Sequence, residues 1–407
     1  MFIYLYLIAV ILFGGFLIGP FSIRVYMVLV MMVVLLFSRY SKGSRNPLPK
    51  NYIYWYIAFI VLMALAFMIT GEFFEYGFIK FVLANHLVCI VTYFAIGSFV
   101  TNSKKIKAVT NVLLAIMFVS SVITILQYYN NPFGWRMARI LSISSMNENL
   151  EEKIMSAADD ETMLGHSYAM GIFDFAFSNA MYIAATAVLA LYWGLNKNEP
   201  FVKRLLYLSI FSVGVVACFD TQQRAAFFSL IVLSVFLFWK SVHNRFVRVV
   251  MACLVLVLVV YFNQQNGLSN GDDVGRMTIG EFEEDSRYEM WIRAIPFIIE
   301  NPFGGALSFM RINNDMPVHN FFLNAFIYGG WLGGLVVIAL FIKMIIQIIK
   351  VIKTTNASSS LSLYYAIGLL IYFICGMVHN SSLVFGSVLI FILFPLMLCE
   401  RYFEQID

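Results

Sequence analysis

The chain has 407 residues, 61% of them hydrophobic and only 12% charged, with a formal net charge of +4. A soluble domain carries about 25% charged residues, so this balance excludes an ordinary soluble globule. The small positive balance, with no basic stripe interleaved with aromatics, excludes a nucleic-acid footprint.

Apolar runs of roughly 18 residues or more recur along the chain. Alternating ten-residue strands of the kind that build β-barrels are absent. The prediction is an all-α integral membrane protein, one polytopic unit over 1–407. About twelve spans are expected, at 2–19, 21–37, 52–70, 78–100, 108–127, 173–194, 205–219, 225–239, 249–262, 320–342, 363–378 and 382–399. The first run lacks a basic leader and a small-residue cleavage site, so it is predicted as a span rather than a removed signal.

Lys and Arg set the orientation, because cytoplasmic loops are enriched in them. One set of connections, from Arg39 and Lys42 through Lys353 to Arg401, holds 17 of the 27 basic residues. The alternate set is acidic; residues 263–318 hold four arginines against nine carboxylates. Both termini are therefore expected in the cytoplasm, and two long loops, 128–172 and 263–318, on the outer face. Loops beyond about 15 residues are usually functional or disordered.

Within the second loop, Ser286-Arg287-Tyr288-Glu289 fits a capping box. A helix of about 287–300 should follow, with Trp291, Ile295, Ile298 and Ile299 on one apolar face and a kink at Pro296. Such a helix suits the membrane interface. Phe303-Gly304-Gly305 allows a tight turn. Gly329-Gly330-Trp331-Leu332-Gly333-Gly334 gives two overlapping small-residue pairs for close helix contact.

Cys89, Cys218, Cys253, Cys375 and Cys399 all lie in or at the ends of apolar runs and form no C-x-x-C, so they read as packing residues. No His/Cys/Asp/Glu set has metal-ligand spacing, and no phosphate-binding glycine motif precedes a helix. Carboxylates inside the spans are few, which argues against an ion-coupled transporter. Lys80 and His86 are the clearly polar charges within a span.

The candidates for chemistry concentrate in the outer half of the second part of the chain. Arg224 follows a very short outer turn; it either pairs with Asp220 or clamps an anion with its planar fork. Arg287 and Arg293 sit on the interfacial helix, with Glu283, Glu284, Asp285 and Glu289 as possible surface partners. His319 ends the arginine-bearing loop, and its imidazole can move a proton near neutral pH. Asn320 either orients a substrate or caps the next span. His166 and His379 have no basic neighbours and rank below His319.

These residues carry a resemblance. Ser286-Arg287-x3-Trp291, then Glu300-Asn301-Pro302-Phe303-Gly304-Gly305, then His319-Asn320-x8-Tyr328-Gly329-Gly330-x2-Gly333, with Thr221-Gln222-Gln223-Arg224-Ala225-Ala226 before them, resembles the O-antigen ligase and polymerase superfamily over residues 217–340. The resemblance implies a GT-C-like membrane glycosyltransferase architecture in the bacterial inner membrane, working on the periplasmic face. It implies donors and acceptors carried on undecaprenyl pyrophosphate, with no metal and no nucleotide sugar. Two large outer loops, and Arg293 and Gly304 at Arg-x10-Gly spacing, are similar to the polymerases, whereas ligases typically have one dominant loop. A separate chain-length regulator is implied as a partner of polymerases.

The expected mechanism has Arg224 and Arg287 holding the pyrophosphate, Arg293 supporting them, and His319 activating the acceptor hydroxyl. Asn320, Trp291 and Gly304 are expected in supporting roles. The alternatives are a ligase that moves the glycan to lipid A–core, and a transporter or flippase of lipid-linked sugar.

Overall fold

The computed structural model describes residues 2–13, 17–18, 21–41, 48–129, 131–142, 169–173, 176–241, 286–313, 317–355, 360–378 and 383–405. Its elements are α1 (Phe2–Leu12), β1 (Leu17–Ile18), β2 (Phe21–Ser22), α2 (Ile23–Ser41), α3 (Lys50–Ile69) and α4 (Phe78–Phe81). A π turn (Val82–His86) joins α4 to α5 (Leu87–Phe99), followed by α6 (Ser103–Tyr128), α7 (Pro132–Ser142), α8 (Ala176–Leu195) and α9 (Phe201–Asp220). The remainder is α10 (Arg224–Ser241), α11 (Ser286–Glu300), α12 (Ala306–Ile312), α13 (Phe321–Thr354), α14 (Leu361–Gly376) and α15 (Ile390–Glu404).

Among the described residues, six helices are long and apolar enough to cross a membrane: Lys50–Ile69, Phe78–Phe99, Ser103–Tyr128, Ala176–Leu195, Phe201–Asp220 and Phe321–Thr354. The protein is a mostly helical, all-α membrane protein. The predicted span at 249–262 and the loop stretches 143–168 and 263–285 lie outside the described residues, as do His166 and His379.

Several boundaries differ from expectation. The first helix stops at Leu12, and Leu17–Ile18 pairs antiparallel with Phe21–Ser22. Gly14, Gly15, Gly19 and Pro20, all poor in helices, occupy this stretch. At the other end the expected span 382–399 begins only at Ile390, after a turn at 383–386. Leu383, Val384 and Leu389 are buried there, so the turn carries the apolar composition of a span.

Helix α13 runs to Thr354 rather than ending near Ile342. Met344, Ile348 and Val351 continue one buried face past the first lysine, and Lys343 lies over the Trp55 ring of α3 at 4.6 Å. A cation on an aromatic face tolerates a place within the helix seam.

The bundle is built around α8, which is buried from Asn179 to Gly194 and contacts α6, α9, α10 and α14. A helix hydrophobic all round belongs inside a bundle. Its alanines let four neighbours approach, and its one amide is engaged through both its oxygen and its nitrogen. Asn179 Oδ1 accepts from the Ser120 hydroxyl at 2.6 Å, and its Nδ2 donates to Thr124 Oγ1 at 2.8 Å. Nearby, Gly171 N–H donates to Gln127 Oε1 at 2.8 Å, which ties the returning end of the 128–172 segment to α6. Polar groups at membrane depth need such internal partners.

Candidate functional site

Helix α11 forms where it was expected and packs on α13. Two tryptophans fix it. The Trp291 indole N–H donates to the His319 carbonyl at 3.4 Å, and the Trp331 indole N–H donates to the Ile298 carbonyl at 2.8 Å. These bonds determine which face turns inward. Ala294 and Phe297 are buried, and Trp291 and Ile298 pack partly against the core. Ile295 and Ile299, expected beside Trp291, are instead exposed together with Ile292. Their i, i+3, i+7 spacing makes a second apolar stripe, suited to the lipid interface.

The turn after α11 is spliced into α13. In an unbroken helix the Trp331 N–H would donate to the Ile327 carbonyl. Here Gly305 N–H donates to Ile327 O at 3.0 Å, and Trp331 N–H donates to Pro302 O at 2.9 Å. One helical bond is thus replaced by two bonds to the turn. The insertion requires a break at Gly330, whose φ of 64° and ψ of −172° is a conformation open essentially to glycine alone. Gly304, at φ 87°, faces the same gap; a β-carbon on it would stand 2.7 Å from Ile327 O. The glycine cluster therefore does two jobs. Gly329 and Gly333 lie against Phe59 of α3, as close packing predicts, while Gly330 admits the turn.

A second latch comes from the first half of the chain. Glu72, in the turn between α3 and α4, is buried and accepts from Leu307 N–H at 3.0 Å, Ser308 N–H at 2.9 Å and the Ser308 hydroxyl at 2.7 Å. A carboxylate placed on the free N–H groups of α12 meets their partial positive charge. Glu75 pairs with Arg311 on the same helix. Tyr76 donates to the Tyr328 hydroxyl at 3.5 Å, and burial raises the Tyr76 hydroxyl above its usual pKa. No motif in the sequence singles out Glu72; a carboxylate in a short turn carries no periodic signal.

His319 is half-buried at the head of α13 and is joined to α11 through the Trp291 bond. Asn320 is the N-cap: its Oδ1 accepts from Phe322 N–H at 3.0 Å and Leu323 N–H at 3.1 Å. Its Nδ2 donates to the Met377 carbonyl at 3.0 Å, so the head of α13 is tied to the end of α14. Of the two readings of Asn320, capping is the one its contacts display.

Arg293 is exposed and pairs with Glu289 at 3.2 Å. Such a surface pair is worth little and exchanges readily for a better anion. Arg287 lies in the first turn of α11; its side chain, like that of Ser286 in the expected capping box, is outside the described residues.

Arg224 opens α10, half-buried, after the turn Thr221-Gln222-Gln223. Gln222 holds a positive φ of 56°, uncommon for a residue with a side chain. The Thr221 hydroxyl donates to the Cys218 carbonyl at 2.6 Å and locks the turn. Asp220 is buried, and its Oδ2 has no hydrogen-bond partner among the described residues. Five residues past Arg224, Ser229 reaches Cys375 near the end of α14. Arg224 therefore sits at the same end of the bundle as Met377, and through Asn320 at the same end as His319. The structure joins the Trp291 indole to the His319 backbone directly, with Arg293 on the same helix as Trp291, while Arg224 is related to that end through Ser229–Cys375 and Asn320–Met377.

Residues 207–338 match the family model described as O-Antigen ligase, a match that supports the O-antigen ligase and polymerase superfamily. The matched stretch covers the arginine turn, α11, the spliced turn, His319 and the break at Gly330, whereas Glu72 lies outside it. A search of curated proteins found no match.

Proposed function

We propose that the protein is a polymerase of surface-glycan repeat units, in the inner membrane of a bacterium, acting at the periplasmic face. Enzymes of the matched family act as glycosyltransferases on lipid-linked glycans. The observation that carries the reading is the Trp291–His319 contact: the indole N–H bonds the backbone carbonyl of His319, which holds the arginine-bearing helix beside this half-buried histidine at the head of α13.

In this reading Arg224 and Arg287, with Arg293 in support, hold the pyrophosphate of an undecaprenyl-linked glycan. Guanidinium forks match phosphate oxygens and stabilise charge on the leaving group. The acceptor is a sugar hydroxyl of another lipid-linked repeat unit. Its oxygen attacks the anomeric carbon while the bond from that carbon to the pyrophosphate oxygen breaks. His319 takes the hydroxyl proton, and undecaprenyl pyrophosphate departs with the bonding pair. Direct attack inverts the anomeric centre. Trp291, Asn320 and Gly304 set the position of His319 and of the turn beside it. No metal enters this scheme, and a separate chain-length regulator would set product size.

The two large outer loops and the Arg293–Gly304 spacing favour polymerisation over ligation. Purified protein with a lipid-pyrophosphate-linked repeat unit alone should make a ladder of glycans. Transfer only after addition of lipid A–core would mean a ligase. Movement of intact lipid-linked sugar across vesicles, with no new glycosidic bond, would mean a flippase.

A further inference from the structure

A groove of about 370 Å³ lies at the Phe78 end of the α4–α5 span, and none of Arg224, Arg287, Arg293 and His319 lines it. Phe21, Phe73, Phe74, Phe78 and Ile79 form its walls and floor, and Lys80 is its one charged residue. Phe78 is buried and stacks at 5.1 Å from both Phe67 and Phe73, so the floor is fixed by an aromatic cluster. Phe74 and Ile79 are 88% and 59% exposed and lean outward. Apolar walls at a span end face hydrocarbon rather than water.

Lys80 lies three residues into the span Phe78–Phe99. A cation at that depth is costly unless it is paired or reaches the head-group layer. The nearest carboxylates in sequence are both engaged: Glu72 accepts from the backbone of α12, and Glu75 pairs with Arg311. Lys80 makes no hydrogen bond or ion pair with the described residues. Among the described residues, the groove thus offers one ammonium without a counter-charge beside an aromatic trough.

We infer that this groove is a binding site for an anionic membrane phospholipid of the outer leaflet, its phosphate on Lys80 and an acyl chain along Phe73, Phe74 and Ile79. The site stands behind the Glu72–Glu75 turn that latches α12, so a bound lipid would brace that latch. The inference is independent of the glycan-transfer reading: it rests on the groove and on the orientation expected from the basic loops.

The test uses the full-length protein in detergent micelles and a phosphatidylglycerol carrying a photoreactive group in its acyl chain. Labelled peptides are identified by mass spectrometry. Labelling within residues 73–83 should exceed that by the matched phosphatidylcholine probe. Lys80→Gln should reduce the phosphatidylglycerol labelling about fivefold, the effect of one basic residue near a charged lipid surface. Phe74→Ala, at an exposed side chain that leaves the fold intact, should reduce labelling by both probes. Inorganic phosphate should not compete. Equal labelling by the two lipids, or labelling unchanged in Lys80→Gln, would overturn the inference. So would displacement by stoichiometric polyprenyl phosphate in the face of excess phosphatidylglycerol, which would make the groove a seat for the substrate's own tail.

Discussion

Replacing Gly330 with alanine tests whether the break in α13 is built to receive the turn after α11. Gly330 occupies φ 64°, ψ −172°, and forcing a residue with a side chain into such a region costs about 1–3 kcal/mol. A β-carbon there would stand 2.7 Å from Pro302 O and 2.9 Å from the carbonyl carbon of Phe303. Those are backbone atoms, so the turn itself must shift, an overpacking penalty of roughly 1–3 kcal/mol. The shift also endangers the Gly305–Ile327 and Trp331–Pro302 hydrogen bonds, each worth about 1 kcal/mol net. Since relaxation of the turn relieves some terms while forfeiting others, the expected loss is about 3–5 kcal/mol. The control is Gly333→Ala. Its β-carbon would meet Phe59 at 3.6 Å, an ordinary contact, and alanine in a helix interior gains about 1 kcal/mol over glycine. Unfolding of membrane proteins is often irreversible, so both variants are compared with wild type by apparent melting temperature at one scan rate. Limited proteolysis should find a new cut within residues 301–313 in Gly330→Ala alone. Equal destabilisation by the two variants, or none from Gly330→Ala, would refute the splice and restore a plain close-packing role for the glycines.

Other contacts give further expectations. Glu72→Gln keeps one acceptor oxygen but turns an amide N–H₂ toward α12, and should loosen that helix by about 2–4 kcal/mol; hydrogen exchange at Leu307 and Ser308 as slow as in wild type would show that Glu72 is no latch. Trp331→Phe removes the bond to the Ile298 carbonyl, with an expected loss of about 1 kcal/mol. Proteolysis of α11 should then quicken, and an unchanged rate counts against the indole as a tether. Asn320→Ala removes the cap of α13 and its tie to Met377, at a cost of about 1–2 kcal/mol. Asn320→Asp should recover the cap but not the tie, and a variant of wild-type stability with alanine would contradict the capping role.

The parts of this molecule that repeat were legible in its sequence. Apolar runs located the long helices α3, α5, α6, α8 and α9 to within a few residues at most ends, and Asn301-Pro302 marked the end of the helix at 286–300, whereas α7 (Pro132–Ser142) formed in a stretch that reads as loop. The parts that depend on a distant partner were not. Glu72 meets Ser308 across 236 positions, and nothing near Glu72 announces it. Gly329 to Gly334 reads as a packing seam whether or not a turn enters at Gly330, because the sequence does not encode which carbonyl a freed N–H will find. The inward face of α11 was misjudged for a related reason. Ile295 and Ile299 are as apolar as Ala294 and Phe297, and it is tertiary contacts, the indole bonds of Trp291 and Trp331 and the Phe297–Phe309 ring contact, that distinguish the stripes. For the candidate site, residue types indicated His319 and the arginines, but the links Trp291–His319, Asn320–Met377 and Ser229–Cys375 join residues far apart in the chain and were not legible there.

The most direct test of glycan transfer at this end of the bundle compares the wild-type protein with His319→Ala and Arg224→Lys, purified and given a lipid-pyrophosphate-linked repeat unit. Products are sized on a gel, and melting temperatures are measured on the same samples. The account predicts a ladder from wild type and none from either variant, at unchanged melting temperature, since alanine cannot accept the proton and a lysine point charge does not replace a bidentate fork. A full ladder from His319→Ala, or no transfer by wild type to either a repeat unit or lipid A–core, would contradict it.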